Sequence, residues 1–435
     1  MANNIFTEMY KTKLTTPEEA VKAVKSGFKI GVPLGVNDPP GLAKALCDRY
    51  EELENVRIIQ SFGPIPRDYM FKPELKGHFF YHSGFHGVGA RMGEKVGIAD
   101  FEPHHISTVG DATLRHHHLN VYWTTASPMD EYGNMTMGLG NVYDREYLDA
   151  ADIVMVEINE NLPRLVGDAF LNIREVDYVV ENTVPLLEVP EMEIDESSTA
   201  IGEYIADLIE DESTIQLGIG GIPNAVGKAL MGKRDLGVHT EMFTDSMVDL
   251  YEAGVITNMK KTYMPGRMTA CFAVGTKKLY NFLDNNYATY FLQGKVSNDE
   301  YVIGQNRKQI SVNTGLCVDL AGQMCAESIG PNQYSGVGGG HDFPRGARRS
   351  DGGKSIIALL STAKEGAIST ITPMLPLGSY VTVPRTDINY IVTEYGVAQL
   401  EGKTRSERAR QLIAIAHPDF RKEIEQEAAK LGMLN

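Results

Sequence analysis

The sequence has few cysteines, a single tryptophan, no surplus of positive charge and no long apolar run. Its 435 residues include only four cysteines. They are scattered along the chain, which fits neither a disulfide framework nor a paired-cysteine zinc site. We therefore expect buried thiols in a reducing compartment. No stretch reaches the roughly 18 apolar residues of a membrane helix, and the first 20 residues lack the apolar segment of a signal peptide. We therefore expect a cytoplasmic protein.

The charge balance excludes further classes of partner. Lys and Arg number 41 against 57 Asp and Glu, which gives a net charge of −16. Nucleic acids and anionic membranes bind to basic faces, so neither is an expected partner, although a local basic pocket for a small anion remains allowed. Hydrophobic residues make up 43% and charged residues 23%, which is ordinary globular usage. The length is enough for two or three folded domains.

Short apolar runs alternate with amphipathic segments along most of the chain, which indicates α/β layers around a largely parallel sheet. An acidic segment broken by proline, at 188–197, is interpreted as the connection between two halves. The run IGVPLGVNDPPGLAKAL (30–46) resembles LGIGGIPNAVGKAL (217–230), and this similarity favours a duplicated α/β unit. The expected domains are 1–190 and 198–435.

A glycine loop, GIGGIPNAV at 218–226, follows a short apolar run and precedes a helical pattern. Its glycines allow a ligand to approach the backbone, and the helix start offers free N–H groups to an anion or oxyanion. A Walker loop is excluded because no Lys-Ser/Thr pair follows the last glycine. A dinucleotide fingerprint fits weakly, since Pro223 replaces its third glycine while Glu241 has the spacing of its acid. A tight turn that binds nothing is the alternative.

Glu241 lies between the apolar run LGVHTE and a helical pattern from Ser246 to Ala253, which Thr244 or Asp245 is expected to cap. Carboxylates at such strand ends are typical of α/β active sites, and a nearby helix start favours their ionised form. An exposed acid in the first turn is the alternative.

A second glycine cluster comprises Gly336, Gly338, Gly339 and Gly340. It either lines a ligand site with N–H groups or only turns the chain. Histidines are also clustered, between His82 and His118. We expect no metal site there, because adjacent histidines cannot all face one ion and no HExxH motif accompanies them. Surface or interface histidines are the favoured interpretation.

Several segments together resemble one enzyme family over nearly the whole chain. They are QLGIGGIPNAV, HTEMFTDSMVDLYEAGVI, VDLAGQMCAESIG, QYSGVGG, IIALLSTAK and VTEYGVAQLEGKT, with ASPMDEYGN and GDAFLNI in the first half. They resemble the acetyl-CoA hydrolase/transferase family within the family I CoA-transferases, especially its 4-hydroxybutyrate and butyryl-CoA:acetate members. The resemblance implies two related α/β domains with the active site in the cleft between them, usually in a homodimer.

The resemblance also assigns residues and chemistry. The catalytic glutamate falls on Glu241, and coenzyme A contacts fall on Gly218, Ile219, Gly220, Gly221, Ile222, Leu316 and Gly339. Acyl-CoA and acetate, or another short carboxylate, are the implied substrates, coenzyme A enters as substrate, and no tightly bound cofactor is expected. Gly340-His341 and Leu360 depart from the family pattern, which affects the expected acyl specificity.

The sequence is compatible with three functions. The first is a CoA-transferase that works by ping-pong transfer through Glu241. The second is an acyl-CoA hydrolase on the same site, for which His239 is the one candidate base, because a regular strand would direct it to the same face as Glu241. The third is a coenzyme A- or nucleotide-binding regulator, or a dehydrogenase in which Glu241 contacts a ribose.

Overall fold

The computed structural model describes residues 4–190 and 192–434. The chain forms two compact units. The first comprises the described part of Met1–Val189 together with Ala270–Val296, and the second comprises Pro190–Thr269 and Ser297–Asn435, again over the described residues.

An eight-stranded sheet forms the centre of the first unit, and all of its strands are parallel. In spatial order its strands are Leu14–Thr15, Tyr178–Glu181, Ile153–Ile158, Val121–Ala126, Lys29–Gly31, Val56–Phe62, Phe79–Phe85 and Ala99–Phe101. Every residue of Val121–Ala126 is buried, as expected for a central parallel strand covered on both faces. The main core of the unit packs around Trp123 and Ile58, both fully buried.

The first unit also contains helices. They are Ile5–Lys13, Pro17–Ala20, Pro40–Asp48, Asp68–Phe71, Val88–Val96, Val109–His116, Asp144–Ala150 and Lys277–Leu283, with 3-10 turns at Val21–Ala23, Gly35–Asn37, Tyr50–Glu52, Pro73–Leu75 and Ile173–Glu175. A small antiparallel pair, Asn134–Thr136 with Phe170–Asn172, lies beside them.

The passage Ala270–Val296, which the expected second domain of 198–435 includes, belongs to the first unit. Its backbone is bonded there: the N–H of Ala273 donates to Leu139 at 2.8 Å, and the N–H of Phe291 donates to Val166 at 2.8 Å. It carries the short strands Phe272–Ala273 and Thr289–Phe291. Met268–Ala270 and Gly294–Ser297 mark the points where the chain passes from one unit to the other.

A six-stranded sheet forms the centre of the second unit. Its spatial order is Gly237–Val238, Thr214–Leu217, Gln309–Thr314, Lys354–Ala358, Tyr390–Thr393 and Gly396–Gln399, with only the last pair antiparallel. The helices are Glu196–Leu208, Gly221–Ala229, Asp245–Glu252, Glu300–Gly304, Asp342–Arg349, Arg405–Ile415 and Pro418–Lys430, with a 3-10 turn at Leu230–Gly232. Ile391 and Leu412 lie in the core between this sheet and its terminal helices.

Smaller strands complete the second unit. Cys317–Asp319 pairs with Met324–Cys325 and with Ile371–Thr372, and two further ladders join Ser328–Ile329 to Asn332–Gln333 and Thr362–Ala363 to Ile368–Ser369. Met242–Phe243 is a further short strand.

The two similar sequence segments have the same local topology. Lys29–Gly31 leads through helix Pro40–Asp48 to the adjacent parallel strand Val56–Phe62. Thr214–Leu217 leads through helix Gly221–Ala229 to the adjacent parallel strand Gly237–Val238. The α/β architecture expected from the sequence is therefore present, and each unit contains one strand–helix–strand copy of the repeat.

Candidate active site at the carboxyl edge of the second sheet

Three functional candidates follow three neighbouring parallel strands of the second unit. Glu241 follows strand Gly237–Val238, the glycine loop follows Thr214–Leu217, and Leu316 follows Gln309–Thr314. Carboxyl ends of parallel strands lie on one edge of a sheet, where ligand sites of open α/β folds are found. Continuing the register of Ile215 opposite Val238 places Gly218 level with Glu241.

The Glu241 carboxylate is half-buried and is held by two groups of the same unit. The Asn298 side-chain amide donates to its Oε2 at 2.7 Å, and the backbone N–H of Gly339 also donates to it. Burial raises the pKa of Glu241 from 4.5 to about 7, with a smaller contribution from the negative charge of Asp342, and these effects outweigh the two hydrogen bonds. An acid–base equilibrium near neutrality is typical of a carboxyl group in an active site.

Asn298 and Asp342 complete this carboxylate environment, and the sequence had not indicated either of them as a site residue. The Asn298 amide lies 3.3 Å from Asp342 Oδ2 as well as 2.7 Å from Glu241, so it bridges two acidic side chains. Asp342 directly follows the second glycine cluster and begins helix Asp342–Arg349, a position that could have marked it. Asn298 carries no comparable sequence signal.

Gly339 lies against the carboxylate, and its lack of a side chain is required there. A Cβ built on Gly339 would overlap both Glu241 Oε2 and Asn298 Nδ2. The second glycine cluster therefore lines the site with backbone rather than only turning the chain. The structure brings Gly339 and Glu241 into direct contact. The resemblance assigns both residues to the active site.

The loop at 218–222 ends in an open helix N-terminus. Helix Gly221–Ala229 begins after Gly220, whose φ of 128° favours glycine, and no side chain caps it. Ile219 is 47% exposed, and a Cβ on Gly218 would meet only the edge of Pro223 at 3.9 Å. This loop therefore offers accessible N–H groups to a ligand.

In the first unit, the corresponding helix start is occupied by a side chain of the protein itself. There the buried carboxylate of Glu157 accepts hydrogen bonds from Gly41 N–H at 3.1 Å and Leu42 N–H at 2.9 Å, at the start of helix Pro40–Asp48. Gln60, near the position equivalent to Glu241, donates to Pro33 and accepts from Tyr81. The first copy thus fills its own anion site, whereas the second copy leaves it open.

His239 does not occupy the position of a base for hydrolysis. Its ring is fully buried, with Nε2 2.7 Å from the Ser297 carbonyl and Nδ1 3.0 Å from the Asn306 amide. Burial, reinforced by the charge of Lys261, lowers the pKa of His239 to about 3. Both ring nitrogens are bonded to the protein, so this ring is not available as the base that the hydrolase alternative requires.

The two departures from the family pattern have different positions. His341 Nε2 lies 3.0 Å from Asp387 Oδ2, so this ring is tied to the loop before strand Tyr390–Thr393. Leu360 is 37% exposed, just after the end of strand Lys354–Ala358. Leu316 is also 38% exposed at the same sheet edge, so apolar surface is available there to a substrate.

Within the described residues, one histidine group in the first unit has the spacing of a metal site: His82, Glu102 and His117. The far ring nitrogens of the two histidines face cations, with Arg57 3.3 Å from His82 Nε2 and Lys29 3.4 Å from His117 Nδ1. Histidine ligands normally donate their second N–H to an acceptor, which a guanidinium or ammonium group cannot be. This arrangement supports a hydrogen-bonded cluster on Glu102.

Replacing Asn298 with Ala is expected to shift the pH profile of activity to higher pH. The variant removes a hydrogen bond to the ionised carboxylate, typically worth about 1.5–3 kcal/mol, so the pKa of Glu241 should rise by about one unit or more. The measurement is the pH profile of kcat/KM. Asp342→Asn is the matched opposite variant, because removing a neighbouring negative charge should lower the same apparent pKa. Unchanged profiles in both variants would contradict this electrostatic assignment.

Comparisons with known proteins place the chain in a family. The acetyl-CoA hydrolase/transferase N-terminal domain matches residues 2–188, and the C-terminal domain of the same family matches residues 275–428. The chain is 41% identical to the 4-hydroxybutyrate coenzyme A transferase of Clostridium kluyveri, over 97% of this chain and 99% of that protein. It is 39% identical to the butyryl-CoA:acetate CoA-transferase of Anaerostipes caccae, over 98% of both.

The fold comparison agrees with the sequence comparison. The crystal structure of RipA from Yersinia pestis superposes with a TM-score of 0.94 at 35% identity, covering 99% of this chain and all of that one. Among the described helices, none combines the length and apolar character needed to cross a membrane. Matches to both family domains and to full-length relatives above 30% identity confirm the resemblance seen in the sequence. The chain belongs to the acetyl-CoA hydrolase/transferase family.

Proposed function

We propose that the protein is an acyl-CoA:carboxylate CoA-transferase, which moves coenzyme A between a short-chain acyl-CoA and acetate. The observation that carries the proposal is the Glu241 carboxylate, held by Asn298 and Gly339 on the sheet edge that also bears an open helix N-terminus. A carboxylate can form both an anhydride and a thioester, and it needs no general base to act as a nucleophile. The 4-hydroxybutyrate and butyryl-CoA:acetate transferases support this assignment.

The proposed reaction uses the Glu241 carboxylate twice. A carboxylate oxygen attacks the acyl-CoA carbonyl, the carbon–sulfur bond breaks, and an acyl-glutamyl anhydride and a CoA thiolate result. The thiolate then attacks the glutamyl carbonyl of the anhydride, which releases the acyl group as a carboxylate and leaves a glutamyl-CoA thioester. Acetate reverses these two steps and leaves as acetyl-CoA. Charge is conserved throughout, because each step exchanges one anion for another.

Each step passes through a tetrahedral oxyanion, for which the backbone provides donors. The N–H groups at the start of helix Gly221–Ala229 lie on the same sheet edge as Glu241. One oxyanion donor is typically worth about 3 kcal/mol of the activation barrier. The nucleotide end of coenzyme A contributes binding energy far from the reacting bond, which transferases can express in the transition state.

Transfer rather than hydrolysis is supported by the surroundings of Glu241. His239, the base that the sequence suggested for hydrolysis, is buried with both ring nitrogens bonded to Ser297 and Asn306. A glutamyl thioester is protected from water only while the site excludes or fails to activate it. The Asn298 amide and the Gly339 backbone N–H, which contact the carboxylate, are donors and cannot deprotonate water.

We expect new acyl-CoA to form on acetate much faster than free coenzyme A appears, with ping-pong kinetics. The test follows free thiol and new acyl-CoA together, with and without acetate, using purified protein and butyryl-CoA. Thiol release at the same rate without any acceptor would show a hydrolase instead. A panel of acyl-CoA donors, with 4-hydroxybutyryl-CoA beside butyryl-CoA, then identifies the acyl group. A homodimer and independence from metal or redox cofactors belong to the same proposal.

Replacing Gly218 with Val tests the glycine loop better than a change at Gly220. Gly220 has a φ of 128°, so any side chain there strains the backbone, whereas Gly218 is outside that region and has open space around its Cβ. We expect kcat/KM to fall by about tenfold or more, because the side chain would project into the space for the substrate, with little change in Tm.

The matched control for this variant is Gly232→Ala, whose Cβ meets nothing within 4 Å and which lies beyond the far end of helix Gly221–Ala229. Both variants are compared by kcat/KM and thermal unfolding. Normal activity in Gly218→Val would show that the loop does not meet the substrate. A large drop in its Tm would show a structural role.

A further inference from the structure

Two of the four cysteines lie directly opposite each other in a small hairpin of the second unit. Strand Cys317–Asp319 runs antiparallel to Met324–Cys325, and Cys317 is the register partner of Cys325. The Asp319 carboxylate fixes the turn by accepting from the N–H groups of Ala321 and Gln323, each at 3.0 Å. Directly opposed residues in antiparallel strands have Cα separations of about 4.5–5.5 Å, which falls within the disulfide range.

The two thiols touch but differ in exposure. Both are free, and they share a hydrogen bond across the hairpin. Cys317 is partly exposed, whereas Cys325 is fully buried with its sulfur 3.4 Å from both the carbonyl and the hydroxyl of Ser328. The hydrogen bond that Cys317 donates lowers the pKa of Cys325 and raises the pKa of Cys317, so the first sulfur anion of the pair rests on Cys325 and the shared proton on Cys317.

We propose that Cys317 and Cys325 are a redox-active dithiol, which low-molecular-weight disulfides convert into an intramolecular disulfide. Cys317 is the residue that an external disulfide can reach, and Cys325 is the resolving residue. Proximity, opposed register and unequal exposure are the features that distinguish this pair from Cys47, which is buried and whose pKa burial raises to about 12.

The proposed exchange is balanced without any other oxidant. The dithiol first loses one proton to solvent. The remaining proton, shared between the two sulfurs, moves to Cys325, and the Cys317 thiolate attacks one sulfur of the external disulfide, expelling one thiolate. The Cys325 thiol then loses its proton, and its sulfur attacks Cys317, expelling the second thiolate. The protein loses two electrons and two protons, and one external disulfide is reduced to two thiols.

Oxidation is expected to affect the neighbouring residue Leu316. The Leu316 N–H donates to the Cys325 carbonyl at 2.9 Å, so its backbone is bonded to the strand that the disulfide would draw closer. The resemblance assigns Leu316 to coenzyme A contact, and this second part therefore rests on the proposed function. A shift of the segment should raise the KM for acyl-CoA and leave kcat nearly unchanged, because Glu241 is held by other groups.

The folded, reduced protein is treated with glutathione disulfide. Its intact mass and acyl-CoA kinetics are then measured, and peptide mapping locates any disulfide. Wild type should lose the mass of two hydrogens, with a Cys317–Cys325 peptide, and dithiothreitol should reverse the change. Cys325→Ser should instead gain one glutathione on Cys317, while Cys317→Ser should stay unmodified. Cys47→Ser is the control and should behave as wild type.

The outcomes separate the two parts. No mass change in wild type, or a mixed disulfide that persists with Cys325 present, would overturn the dithiol assignment. A disulfide that forms while the KM for acyl-CoA stays within about twofold of the reduced value would overturn the coupling to Leu316. Absence of transfer by the reduced enzyme would defeat the proposed function and with it the coupling, whereas the mass measurement still decides the dithiol.

Discussion

Glu241→Gln should abolish CoA transfer while the chain still folds. The amide has nearly the same shape as the carboxyl group and can still accept from Asn298, but it cannot form the anhydride or the thioester. We expect kcat/KM to fall by roughly a thousandfold or more, and intact mass after incubation with acyl-CoA should show a coenzyme A adduct only on wild type. Glu203→Gln, an exposed change in helix Glu196–Leu208, is the control.

The same variant should become more stable than wild type as the pH rises. The folded state raises the pKa of Glu241 from 4.5 to about 7, so the unfolded chain releases this proton first. Ionisation therefore lowers wild-type stability between about pH 4.5 and 7, and the loss persists above that window. We expect Glu241→Gln to gain roughly 1–3 kcal/mol over wild type at pH 8 and nearly nothing at pH 4.

Denaturant unfolding at the two pH values measures this difference, and activity assays on the same preparations test the catalytic role. Residual transfer within tenfold of wild type would refute Glu241 as the covalent centre. A Gln variant less stable than wild type at pH 8 would show that the ionised carboxylate is favourably held rather than strained. The two results are independent, since one concerns chemistry and the other concerns burial.

Strand positions and glycine loops could be predicted from the sequence because both depend on the local pattern of apolar residues and glycines. The short apolar run before the glycine loop forms strand Thr214–Leu217. The glycine loop at 218–222 also leads into a helix at the expected place. Helix boundaries were less accurate: the pattern from Ser246 to Ala253 forms helix Asp245–Glu252, which begins and ends one residue earlier. Local side-chain patterning specifies the element but not its ends.

The residues around Glu241 could not be predicted from the sequence in the same way. Asn298 is 57 residues away and lies just after the passage Ala270–Val296, which belongs to the other unit. No local periodicity connects two such segments, because their contact depends on where the chain returns to the sheet edge. His239 shows the same limit: alternation in a strand indicated its side, but the carbonyl of Ser297 and the amide of Asn306 decided its contacts.

Gly339→Ala should inactivate the enzyme by displacing the catalytic carboxylate. Gly339 does not adopt a left-handed conformation, so alanine is compatible with the backbone, but its Cβ would overlap Glu241 Oε2 and Asn298 Nδ2. One of these groups must move, and a shift of about 1 Å in a reacting group typically costs about a hundredfold in rate. We therefore expect kcat/KM to fall by about a hundredfold while the protein remains folded.

A double-variant cycle separates this steric effect from general damage to the loop. If the methyl group acts on the carboxylate, Gly339→Ala should cost less unfolding free energy in a Glu241→Ala background, because one of the two overlaps is then gone. The remaining cost in that background reports the overlap with Asn298. Equal costs in both backgrounds, or activity within threefold of wild type for the single variant, would show that Gly339 does not position Glu241. A smaller cost in the Glu241→Ala background, together with lost activity in the single Gly339→Ala variant, would assign Gly339 the role of holding the nucleophile in place.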